Sequence, residues 1–540
     1  MLTLEDRRRI GAGEAVYSGG MPSRTVSGQS SVAEAPAAVS ASDRRALAIA
    51  RIARASASDA GLDLASTDRS VPTPGSVPTP GGVPALSDAS PVIGLLDLDE
   101  VDAAFTALTT AFAADTAVLH AVACKAVPLL PVLRLLAEAG AGCEVASPGE
   151  LELALAAGFG PERIVFDSPA KTMSELRRAL DLGVAINVDN WEELDRLDGL
   201  LGDYPGTASA IGVRINPQTG VGEIGALSTA TATSKFGIGL TDPGAREALV
   251  EAFLARPWLS WIHVHSGSQG MTLDQIAEGV AVAVDLAREI NVRAEGRQVT
   301  GIDIGGGLPV NFFGDEVTPT FADYRAVLDA RVPGLVDFDI VTEFGRSLLA
   351  KAGTVLTRVE YAKTTGGRRI AMTHAGVQVA TRTAYAPADW PVRILPFTAD
   401  GRPKADDPAE VIPTDVAGPA CFAGDLLAED RLLPRLDAGD LVAVPDTGAY
   451  YFSNPFSYNL LPRVPVYGYR TTGASGDGTT DPGDRLGEGS LDFALIRRGQ
   501  TIAELLAEAG EEASSPALRS RRDTAGQRSP KIDGEESTMR

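Results

Sequence analysis

Between residues 117 and 344, eight short β-branched runs alternate with longer stretches of helical period. The runs lie at 117–125, 143–147, 163–168, 185–190, 209–216, 259–266, 301–306 and 339–344. Most of the gaps hold an amphipathic pattern, as in TMSELRRALDLG and DPGAREALVEAFLAR. Strands that alternate with helices pair in parallel. Eight such units suit a closed (β/α)8 barrel of the TIM type better than an open, doubly wound sheet.

The flanks are different. Residues 1–88 are rich in Ala, Ser, Gly and Pro and contain the tandem VPTPG-SVPTPG. Such composition buries too little apolar surface to offset ordering entropy, so a disordered leader is expected. A short basic helix over Asp43–Arg54 would be transient on this view. Residues 89–112 carry VIGLLDL (92–98), expected to join a β domain formed by residues 351–505, where short β-rich runs are broken by Gly and Pro. The barrel, 113–350, would then be an insertion. The charged, Ser-rich residues 506–540 are expected to form a second disordered tail.

Composition narrows the function. A net charge of −23 disfavours a nucleic-acid backbone as partner. Three cysteines without a CxxC pair exclude a disulfide framework and a cysteine zinc site. Four histidines make a His-rich metal centre a poor reading, and no metal is expected. Neither a secretion signal nor an apolar run of ~20 residues is visible, so no membrane partner and a cytoplasmic setting are expected. Lysine is scarce, 7 against 41 arginines, so a lysine in an apolar stretch stands out.

In a barrel of this kind, functional groups sit where strands end. The first run ends in Lys125, among apolar neighbours; desolvation there would lower its pKa and favour imine formation. The sixth ends in His263-Val-His265-Ser-Gly-Ser268, with both imidazoles on one face. They could ligate a metal, but no third ligand is visible, and a flat contact with an aromatic cofactor fits equally. The seventh ends in Gly305-Gly306-Gly307, whose backbone N–H groups could close on a phosphate. The eighth ends in Glu343-Phe-Gly-Arg346, an acid that needs a cation and an Arg that could meet the phosphate. Lysine, ring, glycines and carboxylate together specify pyridoxal 5'-phosphate (PLP).

These motifs resemble those of the PLP-dependent diaminopimelate, ornithine and arginine decarboxylases with an alanine-racemase-like barrel. The likeness covers about residues 90–500, through CKAVP, GAGCEVASPGELELAL, SKFG, HVHSGSQ, IDIGGGLP, EFGRSLLAKAG, GPACFAGDLLAEDR and DTGAYYFS. It implies an amino-acid carboxy-lyase with Lys125 and Cys421 as catalytic residues. It implies a cofactor set of Lys125, Arg214, His265, Ser268, Gly305, Gly306, Gly307, Glu343, Gly345, Arg346 and Tyr450. Arg382, Phe422 and Asp425 would meet the substrate, and Cys421 would enter the second subunit's site, making a homodimer. Phe422 stands where the family has an acid that holds a distal amino group, and Arg382-Thr-Ala-Tyr385 is one residue short of the diaminopimelate-type segment. These departures argue against diaminopimelate itself. A racemase or epimerase, or a non-catalytic regulatory homologue, is the alternative; Glu343, where racemases carry Arg, disfavours the former.

Overall fold

The computed structural model describes residues 39–63, 82–115, 117–404, 410–472 and 491–510. Eight parallel strands close into a barrel: β2 (Val118–Ala123), β3 (Gly142–Val145), β4 (Ile164–Phe166), β5 (Ala185–Val188), β6 (Ile211–Asn216), β8 (Leu259–Val264), β9 (Gly301–Asp303) and β10 (Asp339–Thr342). β7 (Ile238–Gly239) is a two-residue addition beside β6. Closure comes from Ile186↔Ile211 between β5 and β6 and from Ile340↔Val118 between β10 and β2. All eight fall on the runs read from the sequence.

The helices start abruptly because their first turns are capped. Thr172 Oγ1 accepts from Glu175 N, and the Glu175 carboxylate accepts from Thr172 N at 2.5 Å. Thr272 with Gln275 and Thr320 with Asp323 repeat this reciprocal box, which satisfies backbone N–H groups that a helix start otherwise leaves bare.

Residues two apart on a strand share a face, and the barrel interior accordingly forms two layers. Leu119, Ala121, Val165, Ala185, Trp261 and Val341 pack together as an apolar plug. One inward position further along, the same strands or their ends present Asp167, Asn187, His263 and Glu343, joined by Glu144, Arg214 and Asp303, all buried. Trp261 needs room: a Cβ on Gly301 would lie 2.6 Å from its ring, and one on Gly212 2.8 Å from its Cβ.

A second sheet runs β15 (Leu426–Pro434), β14 (Val411–Ala417), β12 (Arg368–Thr373), β11 (Gly353–Thr365), β1 (Val92–Asp97), β17 (Val466–Thr471), β18 (Leu491–Arg497). β16 (Leu441–Pro445) joins β11, and β13 (Leu395–Phe397) joins β16. β1 precedes the barrel in sequence yet lies in mid-sheet, antiparallel to β11 and parallel to β17.

The expectation of a disordered leader over 1–88 needs correction. Ala41–Asp63 forms a helix, α1, and residues 82–91 are ordered against the β domain. Ala48, Ile49, Ile52 and Ala53 of α1 are buried with Ile93, Leu95, Leu356, Tyr469 and Phe493. Arg44 Nε donates to Asp97 Oδ2 at 2.7 Å. Average composition hid a four-residue apolar stripe at helical spacing. The rest of the leader, including the VPTPG tandem, lies outside the described residues. At the other end, helix Ile502–Glu508, capped by Thr501 and Glu504, runs past the expected start of the tail at 506. Among the described residues no helix is long and apolar enough to cross a membrane.

Candidate active site

Lys125 sits in a single turn, Cys124–Ala126, that follows β2 directly. Its side chain is 45% accessible, and that surface faces a cavity of about 350 Å³ at the C-terminal mouth of the barrel. Nζ lies 2.5 Å from Glu144 Oε2 of β3. The sequence reading expected desolvation to lower the amine's pKa. Burial does pull it down, but the Glu144 charge, with Tyr450 and Glu343, outweighs burial and the net direction is up. Burial, against the opposing pull of Lys125, lifts Glu144 to about 8. The pair therefore holds a proton across neutral pH.

Eight other expected residues line the same cavity or its wall: His265, Ser268, Gly307, Glu343, Gly345, Arg346, Arg382 and Tyr450. His265 Nδ1 accepts from Gly306 N at 3.1 Å. Burial, helped by the Arg214 charge, lowers its pKa to about 3, so the ring is neutral. Arg346 lies 4.7 Å over the Tyr450 ring and 4.8 Å over Trp390, with Nε 3.4 Å from Ser268 Oγ. Arg382 lies over the same two rings, at 4.8 and 5.0 Å. Neither guanidinium has a carboxylate partner among the described residues, and a buried NH1 of Arg382 has no hydrogen-bond partner. Burial lowers Arg346 to about 10. Two guanidiniums held on aromatic faces without acids make an anion site. Tyr450 has φ +68, a strained conformation for a residue with a Cβ, at the point where its N–H donates to Ala126 O at 2.9 Å.

The glycines serve differently from expectation. Gly305 N donates to Asp303 Oδ1 at 2.9 Å, and Gly306 N to His265 Nδ1, so two of the three N–H groups are already used. Gly306 must be glycine because a Cβ would lie 2.3 Å from Glu343 O. Gly307, at φ +98, is the member that faces the cavity.

Other expected residues lie elsewhere. Arg214 does not line the cavity; NH1 pairs with Asp167 Oδ2 at 2.9 Å and the guanidinium lies 4.4 Å over Phe236, which does. Asp425 is buried, and its oxygens accept from Val377 N and Ala420 N, both at 2.6 Å. It shapes the loop and does not line this chain's own cavity. Cys421 is exposed, with its N–H on Asn459 Oδ1 at 2.7 Å. Phe422 stacks on Tyr385 at 5.6 Å in a four-ring cluster with Phe456 and Tyr458. Neither Cys421 nor Phe422 lines this chain's own cavity.

The sequence reading missed the polar layer beneath. His263 Nδ1 lies 3.3 Å from Asp167 Oδ1 and Nε2 lies 3.4 Å from Glu343 Oε2. Asn187 Nδ2 donates to Asp303 Oδ2 at 3.0 Å. A polar or charged residue within two positions of the C-terminal end of seven of the eight strands (Glu144, Asp167, Asn187, Arg214, His263, Asp303 and Glu343) was the available signal. Asp167, His263 and Glu343 do bring three potential ligand atoms within 4.8 Å of one another. His263 makes direct contact with both acids, which is the geometry of ion pairs.

Lysine at the barrel mouth, neutral imidazole, paired cations and a buried carboxylate define a PLP site on a TIM-type barrel. The orphaned Arg382 nitrogen and unpaired Arg346 fit a phosphate and a carboxylate, and Glu343 Oε1, buried without a partner, fits a ring N–H. Residues 98–350 match the pyridoxal binding domain of the pyridoxal-dependent decarboxylases. Diaminopimelate decarboxylase of Pseudomonas aeruginosa is 36% identical over 343 residues, 63% of this chain and 79% of that protein. Among solved structures, diaminopimelate decarboxylase from Helicobacter pylori complexed with L-lysine superposes with a TM-score of 0.64 at 28% identity, covering 78% of this chain and 97% of that one. Lysine/ornithine decarboxylase from Vibrio vulnificus complexed with putrescine, at 24% identity and a TM-score of 0.58 over 70% and 94%, shares the fold. The chain belongs to the pyridoxal-dependent decarboxylase family: it is a PLP-dependent amino-acid decarboxylase, a carboxy-lyase.

Proposed function

We propose that the chain removes the α-carboxylate of an amino acid in the manner of diaminopimelate decarboxylase, but on a substrate without a distal ammonium. Bound PLP supplies an electron sink for the pair left when CO2 departs. Lys125 would hold the cofactor through its amine and give way to the substrate's amine, and Glu144, 2.5 Å from Nζ, would take or return the proton there. Glu343 would face the ring nitrogen, and neutral His265, which lines the same cavity, would pack against the ring. Arg346, Ser268, Gly307 and Tyr450 would bind the phosphate, and Gly345 lines the same cavity, where a Cβ would lie 2.8 Å from Ala126 Cβ. Arg382 meets a substrate carboxylate. Cys421 of the partner subunit delivers the proton to Cα, in a homodimer with shared sites; its exposure beside a solvent-facing aromatic cluster supports this.

The observation that carries the substrate reading is Phe422. Where an acid would pair a distal ammonium, this chain offers a ring stacked on Tyr385. Desolvating an ammonium without a partner costs about several kcal/mol. Diaminopimelate is therefore a poor substrate on this account. A decarboxylation screen across L- and D-amino acids tests it: CO2 release should be fastest with an apolar, neutral or carboxylate end, and preference for diaminopimelate would overturn it. A cytoplasmic setting belongs to the same reading, supported by three free cysteines.

A further inference from the structure

The reaction above uses Glu343 but leaves its neighbour His263 idle. His263 is fully buried on β8, with one ring nitrogen toward Asp167 and the other toward Glu343. Asp167 also takes Arg214, and Asp303 faces the same group of charges from β9. Lys125, paired with Glu144, also acts on Glu343, while His265 is neutral. The barrel mouth thus gathers four carboxylates, Glu144, Asp167, Asp303 and Glu343, against the fixed cation Arg214 and Lys125. A desolvated carboxylate that lacks a cation takes up a proton.

We propose that His263, held as an imidazolium between Asp167 and Glu343, is a positioning residue that keeps the Glu343 carboxylate charged and directed at the cofactor's ring nitrogen. The inference rests on the assignment of Glu343 to that nitrogen. A merely structural histidine would spend its nitrogens on backbone or hydroxyl groups; this one faces an acid on each side. Burial disfavours its charge, but Asp167, Asp303 and Glu343 outweigh burial and raise its pKa well above the ordinary imidazole value. Burial pushes Glu343 up, and His263 is the largest influence pulling it back to a net lowering. Asp303 is raised well above the carboxylate range by burial and then by Glu343, so it sets no second negative charge beside Glu343.

The test loads wild-type and His263→Gln protein with PLP labelled with nitrogen-15 in the ring. Borohydride labelling of Lys125 confirms loading, and the ring-nitrogen resonance is followed against pH. Without the imidazolium, Glu343 takes up a proton, the ring nitrogen loses its anion, and its deprotonation midpoint falls by about one unit or more. A loaded His263→Gln protein with the wild-type midpoint overturns the inference. If that variant does not retain PLP, Asp167→Asn takes its place, because it weakens the hold on the His263 proton; the same downward shift is expected, and no shift overturns the inference. Failure of wild-type protein to label at Lys125 would instead defeat the parent reading.

Discussion

Lys125 and Glu144 show how a local rule is reversed by a neighbour from another strand. An amine in apolar surroundings loses affinity for its proton, but an acid 2.5 Å away restores it. The consequence reaches stability. Glu144 is raised from 4.5 to about 8, and Asp303 and His263 are also raised. Acids with raised values favour the folded state when protonated, so their contribution is present at low pH and lost as pH rises toward the folded value. The His263 contribution is complete below its ordinary value and lost at higher pH. Asp167 and Glu343, both lowered, lose their contribution only as pH falls below the ordinary carboxylate range. Below about pH 6.5 the lowered values of His265 and His120 oppose this trend, so the apoprotein should lose stability between about pH 6.5 and 8, by at most about 1.4 kcal/mol per unit for each proton released. Urea unfolding across that window checks it. Glu144→Gln should flatten the slope, and a wild-type stability that climbs through the window would refute the assignment. None of this was legible from the chain itself. Lys125, His265, Glu343, Arg346 and Tyr450 were readable because each stands in a motif at a strand or loop end. Glu144, Asp167 and His263 matter through contacts between β3, β4 and β8, which linear spacing does not display. The spent N–H groups of Gly305 and Gly306 were equally invisible, since their acceptors come from other positions in the fold.

At the scale of elements, the eight barrel strands were legible because a parallel strand buried on both faces must be apolar and short. The helix α1 was not, because its Ala, Ser and Arg content reads as a solvated tail until the sheet that receives Ile49 and Ile52 is known. Both side chains are fully buried. Ile52→Ala should cost about 2–4 kcal/mol in urea unfolding, whereas a loose tail would show no change. Inside the barrel, Gly301 is set by Trp261. A valine there would drive its Cβ to 2.6 Å from the indole. Gly301→Val should destabilise by about 1–3 kcal/mol and reduce cofactor retention, because β9 carries Asp303 and leads into Gly305. Stability equal to wild type would mean the plug is looser than the packing indicates.

At the scale of the whole molecule, the cofactor half of the site belongs to one chain, while Cys421 and Phe422 lie outside that chain's cavity on an exposed aromatic cluster. Tyr385 is 58% and Tyr458 40% accessible. If two copies complete each other's sites, Lys125→Ala and Cys421→Ala proteins, each nearly inactive, should regain activity when mixed and allowed to exchange subunits. About a quarter of the sites should then be intact, on random pairing of a symmetric dimer. Mixtures that stay as inactive as their parts would place Cys421 outside the chemistry. The most direct measurement for the account as a whole remains the covalent one. Protein reconstituted with PLP, reduced with borohydride and digested should carry the pyridoxyl group on the peptide containing Lys125, and unreduced protein should release CO2 from an amino acid. A label on any other lysine, or none at all, would contradict it.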